Sequence, residues 1–367
     1  MKKFLPEVCT IQYGFPFDSA KFSDSEGIPL IRIRDVVRGY SETFTTEEYK
    51  DEFLVHENDL LVGMDGEFNI AKWGKTPALL NQRVCRLMPK TNIDKGYLFY
   101  FMPIALKKIE EKTPFVTVKH LSAKELNKIE IPILPFDEQK KIATVLDKVS
   151  DLISCRKQQL VKLDELVKAR FVEMFGDSVA NTKNFPSTPL ETVMTVFPQN
   201  GLYKPQTDYV QDDTGIPILR IDAFYNGKVT NWNTLKRLIC SETEIDRYLL
   251  KENDIVINRV NSIEYLGKCA HIVGLKEKTV FESNMMRFHM DEKKVNAVYV
   301  TEVLCTEDIY RQILQRAKKS VNQASINQKD VKSLEILVPP LSFQNQFAAF
   351  VERVDKQKQT VQQSLEK

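Results

Sequence analysis

The sequence predicts a mixed α/β chain made of two similar α+β domains joined by long helices, and three observations carry that prediction. Short framework segments recur in order: GIPLIRIR (27–34) returns as GIPILRID (215–222), ENDLLV (57–62) as ENDIVI (252–257), and IEIPILP (129–135) as LEILVPP (334–340). A repeat this long is duplication of a whole domain rather than a solenoid unit. Between the two copies lies a stretch from Pro135 to Phe175 with neither Pro nor Gly after its first residue. Within each copy, short β-branched runs alternate with one segment of helical period, which marks both globular parts as mixed helix and sheet.

The central stretch places Ile142, Val145, Val149, Leu152, Leu160, Leu163, Val167, Phe171 and Met174 at three-and-four spacing, interrupted only by Arg156. That spacing lines one side of a helix and suits a packed helix seam. Pro135 and Asp137 supply its start signal, with Asp137 as the N-cap, and Gly176 its stop. At 1.5 Å per residue it makes a rod about 60 Å long. A second helix restarts at Ser342, where Phe347, Phe350, Val351 and Val354 take the places of Ile142, Val145, Leu146 and Val149, and Gln344 that of Gln139. The resulting plan is a domain over 1–134, a helix over 135–176, a domain over 177–340 and a shorter helix over 341–367.

In the first domain Val8–Phe17 reads as a strand ending in a Gly and Pro turn, and Ile28–Val37 as a strand with Arg32 and Arg34 on one face. Leu54–Met64 reads as a strand, residues 63–68 as a tight loop leading to Lys72, Trp73 and Lys75, and Asn81–Met88 as a strand carrying Gln82, Arg83 and Arg86. Tyr97–Lys112 has a helical period despite Pro103. In the second domain Ile216–Phe224, Asp254–Val260 and Phe281–Met290 echo those strands, and Val298–Lys318 echoes the helix.

With 43% apolar and 28% charged residues among 367, the chain can bury two substantial cores. A net charge of +2 does not announce a nucleic-acid partner, so any basic surface comes from placement. The six cysteines show no CxxC spacing, which fits a reducing cytoplasm and argues against a disulfide frame or a structural zinc site. The opening MKKFLPEVCT lacks the apolar core of a signal peptide, and no apolar run is long enough to span a membrane.

Catalytic equipment is not visible. Gly74-Lys75-Thr76 resembles the end of a phosphate-binding loop, but Asn69 stands where that motif needs its first glycine. Glu138-Gln139-Lys140 has the Glu-x-Lys form of metal-dependent nucleases, but no Asp precedes it at a suitable distance. No Asn-Pro-Pro-aromatic tetrad, GxSxG elbow or GxGxxG turn occurs. His56, His120, His271 and His289 lack ligand spacing. No cofactor is expected.

The run IPILPFDEQKKI (131–142), followed by the long helix and FVEMFGD (171–177), resembles the central region of the specificity subunits of type I restriction-modification enzymes. The segments PPLSFQNQF (339–347), QYGFPF (12–17) and GMDGEF (63–68) resemble their distal region and pieces of their target recognition domains. The resemblance covers essentially the whole chain. It implies two target recognition domains, each reading one half of a split double-stranded DNA sequence, and two long helices packed as an antiparallel coiled coil. It also implies docked methyltransferase subunits and a restriction motor-nuclease subunit that cuts unmodified DNA, the chain itself being non-catalytic. A rod between divergent heads implies an asymmetric bipartite target, with half-site centres about one helical turn apart as the geometric default.

Contact candidates are basic and amide side chains near strand ends and loops. In the first domain these are Arg32, Arg34, Lys72, Lys75, Arg83, Lys119 and His120, with Gly63 and Asp65 in the groove-entering loop. In the second they are Arg220, Asn258, Arg259, Asn261, Lys268, Asn322 and Gln323. Arg pairs bidentately with guanine, Asn and Gln with adenine, and Lys mostly steadies phosphates. The bland reading of each is a solvated charge on a strand face, and of Phe68 and Trp73 an aromatic at the edge of a core. On the helices, Leu146, Ile153, Leu166 and Phe343 fall outside the seam and are the docking candidates. Since Lys367 is the counterpart of Lys162, the second helix is expected to leave Val167, Phe171 and Met174 without a partner unless Phe4 and Leu5 cover them. Two other classes compete: a lone nuclease or methyltransferase, which needs its own metal or methyl-donor site, and a two-headed protein scaffold, which has no affinity for DNA.

Overall fold

A computed structural model describes residues 1–113, 119–177, 179–212 and 214–366. The chain divides into two compact units, Met1–Cys155 and Arg156–Lys367, with the 40-residue helix Phe136–Phe175 crossing the boundary.

The first unit is built on an antiparallel four-stranded sheet in the order Cys9–Tyr13, Val84–Pro89, Leu60–Gly63, Asn69–Lys72. Side chains alternate across a strand, so both faces of this sheet bury apolar residues. Leu60, Val62, Cys85 and Leu87 meet Leu98, Met102 and Leu106 of the helix Lys95–Lys112 on one face. Leu61 and Val84 meet Ile31, Val36, Trp73 and Leu80 on the other. Five short strands, including Ile28–Ile31 parallel to Ala78–Leu80, form a second sheet.

The second unit repeats this plan. Its larger sheet has six strands, with Met194–Asn200, Met285–Met290, Asp254–Asn258 and Cys269–His271 in the same order as their counterparts. Ile255 and Ile257 face one core while Val256 faces another. Ile216–Leu219 runs parallel to Val280–Phe281, as its counterpart does in the first unit. The helix Leu341–Glu366 lies antiparallel to the second half of the long helix. Phe347 packs 5.5 Å from both Phe171 and Phe175, while Lys358 pairs with Asp164 farther along.

Several elements differ from the sequence reading. Ile28–Val37 is not one strand: it ends at Ile31, and a short helix Ile33–Arg38 follows, ended by Gly39 at φ 75°. The buried Asp35 carboxylate accepts the Arg32 N–H (2.9 Å) and turns the chain there. Leu54–Met64 is broken at Asn58, which sits at φ 67°, and the second unit makes the same break at Asn253, at φ 64°. In each case the following Asp carboxylate holds the turn, Asp59 accepting from the His56 N–H and Asp254 from the Lys251 N–H. The strands begun at Ile216 and Asp254 stop at Leu219 and Asn258, that read from Asn81 starts at Val84, and Phe281–Met290 divides before Met285. Val298–Lys318 is two helices, Ala297–Leu304 and Glu307–Arg316, because Thr306 caps the second.

Asp137 is not an N-cap. The long helix begins at Phe136, the Gln139 N–H bonds the Pro135 carbonyl (3.1 Å), and the helix stops at Gly176, at φ 76°. The expectation that Val167, Phe171 and Met174 lack a partner is overturned. Val167 joins the core that includes Phe347, Val351 and Val354, and Phe171 and Met174 pack against it. An antiparallel helix brings its first turns to the end of its mate, so the earliest residues of the second helix cover the latest of the first. Leu5 belongs to the core of the first unit, and Phe4 is exposed. Conversely, Ile142, Val145, Val149 and Leu152 of the predicted seam are exposed. Lys367 lies outside the described residues.

Candidate nucleic-acid interface

Each unit builds the same corner from the same residue types. In the first, Arg86 Nε and Nη2 donate to Gln12 Oε1 (3.0 and 2.5 Å) and Nη1 donates to Asp59 (2.9 Å). In the second, Arg287 donates to Gln199 Oε1 (3.0 Å) and lies 3.6 Å from Asp254. Two residues past each glutamine the chain turns away at a glycine. A Cβ on Gly14 would sit 2.1 Å from the Asn81 carbonyl oxygen, and one on Gly201 2.2 Å from that of Glu282. The loop after each central strand is then clasped by a later segment: the Leu121 N–H bonds the Met64 carbonyl (2.7 Å), and the Ile326 N–H bonds that of Arg259 (2.9 Å).

The first unit also has a cleft of about 430 Å³ lined by Arg32, Arg34, Asn81, Gln82 and Arg83, with Phe17 and Phe22 as its apolar wall; Asn81, against which Gly14 turns, ties it to this framework. Arg32 and Arg83 are exposed, and Arg34 lies beside Asp35 (3.7 Å). Arg83 also pairs with Asp65 (3.2 Å), whose other oxygen lies 2.5 Å from His120 Nδ1, so loop, strand end and clasp meet at one carboxylate. Gly63 is buried, and a Cβ there would come 2.9 Å from Asn69 Oδ1. Lys119 turns to Glu110 (3.3 Å). Lys72 is not part of this cluster: its ammonium reaches Asp147 on the long helix (3.3 Å), where Tyr100 also donates (2.8 Å) and holds that carboxyl below its usual range. Lys75 is exposed on the turn beyond.

In the second unit Arg220 occupies the position of Arg32, over the Tyr209 ring (5.7 Å) as Arg32 lies near Phe22. The residue matching Asn81 is Glu282, which accepts the Ile221 N–H (2.7 Å) and whose carboxyl is raised by burial. Asn258 is fully buried and pairs with backbone, its N–H reaching the Lys268 carbonyl (2.8 Å). Arg259 Nη1 donates to the Ser283 carbonyl (3.1 Å). Val260–Asn261 joins a small sheet with Ala324–Ser325 and Lys318–Lys319, which sets Asn261 near the exposed turn holding Asn322 and Gln323. Lys268 lies 3.3 Å from the Tyr225 ring centroid, and burial lowers its pKa.

The arrangement therefore gathers Arg32, Arg34, Arg83, Asp65 and His120 in one unit and Asn261, Asn322 and Gln323 in the other. It sets Lys72 and Asn258 apart from these. Asn81 and Gln82, the latter expected only as a strand residue, are not singled out by the sequence, because an amide beside a turn carries no periodic signal. Phe68 and Trp73 are buried, with the Trp73 indole donating to the Thr76 carbonyl (2.7 Å), which matches their bland reading. Leu146, Ile153, Leu166 and Phe343 are exposed on the helices. Among the described residues no group of three or more His, Cys, Asp or Glu side chains is placed to hold a metal ion. None of their helices is long and apolar enough to cross a membrane. Guanidinium, amide and imidazole groups around an open cleft suit phosphate and base-edge contacts.

A family described as the type I restriction modification DNA specificity domain matches residues 1–165 and 190–367. The EcoBI specificity subunit of a type I restriction enzyme from Escherichia coli is 28% identical, covering 95% of this chain and 78% of that protein. The MjaVIII specificity subunit of Methanocaldococcus jannaschii is 24% identical, covering 89% and 82%. The crystal structure of the type I restriction-modification S subunit from M. genitalium superposes with a TM-score of 0.62 at 12% identity, over 100% of this chain and 92% of that one.

Proposed function

The chain belongs to the type I restriction-modification DNA specificity family, a non-catalytic subunit for DNA target recognition, and from that premise we propose how it reads its target. Two heads, over 1–134 and 177–340, each read one half of a bipartite, asymmetric sequence in double-stranded DNA. The observation that carries this reading is the framework repeated in both units, its Gln–Arg–Asp corner and glycine turn, with unlike residues at matched positions just past the turn partner. Arg32 and Arg220 match, but Asn81 and Arg83 of the first unit are replaced by the buried Glu282 and by Asn284 in the second, so equal frameworks carry unequal chemistry. Unequal edges read unequal half-sites.

The helices set the spacing between half-sites and dock methyltransferase subunits through Leu146, Ile153, Leu166 and Phe343, and a motor-nuclease subunit completes the assembly in the cytoplasm. Exposed apolar side chains on an ordered helix support a partner surface. The test is to map methylated adenines made by this chain with its methyltransferase partner, before and after inserting one helical turn between Ser154 and Gln158. The half-sites stay the same and their spacing changes; altered half-sites refute the ruler. In the same assembly Arg32→Ala with Arg83→Ala weakens DNA binding and lowers the slope of log affinity against log salt by about two, one per lost phosphate contact. An unchanged slope removes these arginines from the interface.

A further inference from the structure

Cys269 and Cys305 are 36 positions apart in sequence but meet at one face of the larger sheet of the second unit, with Sγ atoms 3.6 Å apart. Cys269 is buried in the strand Cys269–His271, opposite Ile257. Cys305 is the exposed C-cap of the helix Ala297–Leu304, which packs against that strand. Gly227, on a neighbouring strand, permits the close approach: a Cβ there would lie 3.1 Å from Thr301 Cγ2 and 3.6 Å from Cys305 Sγ. The first unit has Ile70 at the matching register, opposite Val62, so Cys269 has no counterpart there. A disulfide needs sulfurs about 2.05 Å apart, so the gap to close is about 1.5 Å, within the swing of a side chain at an exposed helix end.

We infer that Cys269 and Cys305 are a peroxide-responsive pair that forms a disulfide, with Cys305 meeting the oxidant and Cys269 resolving it. Cys305 is the thiol open to solvent, whereas Cys269 is buried with its sulfur against that of Cys305. In the first step the Cys305 sulfur attacks a hydroperoxide oxygen. The O–O bond breaks, and with hydrogen peroxide the leaving hydroxide takes the thiol proton, giving a sulfenic acid and water. In the second step the Cys269 sulfur attacks the Cys305 sulfur. The S–O bond breaks, and the departing hydroxide takes the Cys269 proton as a second water. Two thiols are oxidised to one disulfide and one peroxide is reduced to two waters. Reducing conditions return the pair to thiols, which makes the link reversible.

The test treats the full chain with graded hydrogen peroxide, alkylates remaining thiols, digests without reductant and reads the peptides by mass spectrometry. The expected product joins the Cys269 and Cys305 peptides at about 2 Da below their summed mass and is lost on adding dithiothreitol. Cys155, exposed on the long helix, serves as the unpaired control and forms no intramolecular link. Cys305→Ser, at a surface position, removes the cross-link while leaving the circular dichroism spectrum unchanged, and Cys269→Ala drives Cys305 on to sulfinic acid. Recovery of Cys269 as a free thiol while Cys305 accumulates sulfenic or sulfinic acid overturns the inference. So does oxidation of Cys155 at doses that leave Cys305 untouched.

Discussion

Replacing Gln139 by alanine tests whether the repeated glutamine anchors each helix to its domain. Gln139 is 1% exposed; its Oε1 accepts the Asp94 N–H (2.9 Å) and its Nε2 donates to the Leu134 carbonyl (2.8 Å). Gln344 does the same work in the second unit, accepting the Asn296 N–H (2.8 Å) and donating to the Pro339 carbonyl (2.7 Å). Truncation leaves one buried donor and one buried acceptor unpaired, at about 1–3 kcal/mol each, and water entering the vacated space recovers part of that, so the net loss is about 2–4 kcal/mol. With a urea dependence of about 2 kcal/mol per molar, the midpoint of the first unit falls by about 1–2 M. The chain holds two tryptophans, so Trp73 fluorescence in a Trp232→Phe background reports the first unit alone. Gln139→Met fills the volume without the bonds and remains destabilised. A shift under about 0.3 M for Gln139→Ala refutes the anchoring role, and full rescue by methionine assigns the loss to packing instead.

Two further outcomes follow from the same geometry. Gly14→Ala and Gly201→Ala each drive a methyl against a backbone carbonyl 2.1–2.2 Å away, at a cost of about 3 kcal/mol, whereas Gly66→Ala, in open space at φ 75°, costs about 1 kcal/mol; urea midpoints check the order. His271 is held neutral by burial, its pKa pushed down to about 4 from 6.5. The unfolded chain therefore binds the extra proton first, so this group's contribution is complete above about pH 6.5 and is lost as pH falls toward 4, by about 3 kcal/mol. Stability measured against pH in His271→Gln loses that part of the slope, and an unchanged slope places the titration elsewhere.

The sequence by itself determined the duplication, the long helix and its stop at Gly176, and the equivalence of Gln139 with Gln344. Each is legible because one backbone task repeated along the chain demands the same residue at the same local offset. Where two structures share a local pattern the reading failed: alternating apolar and basic residues at 28–37 suit a strand as well as a strand and a short helix, and the Asp35 carboxylate decides between them. Only the tertiary structure captured Lys72 with Asp147, buried Asn258 within its own loop, and set Cys269 against Cys305. It also decided which half of the long helix is covered, joining Leu163 and Val167 to the second helix while Val145 and Leu152 face solvent. Side-chain periodicity records which face of an element is apolar, but the group that meets that face is chosen by chain segments far away in sequence, to which a local pattern is blind.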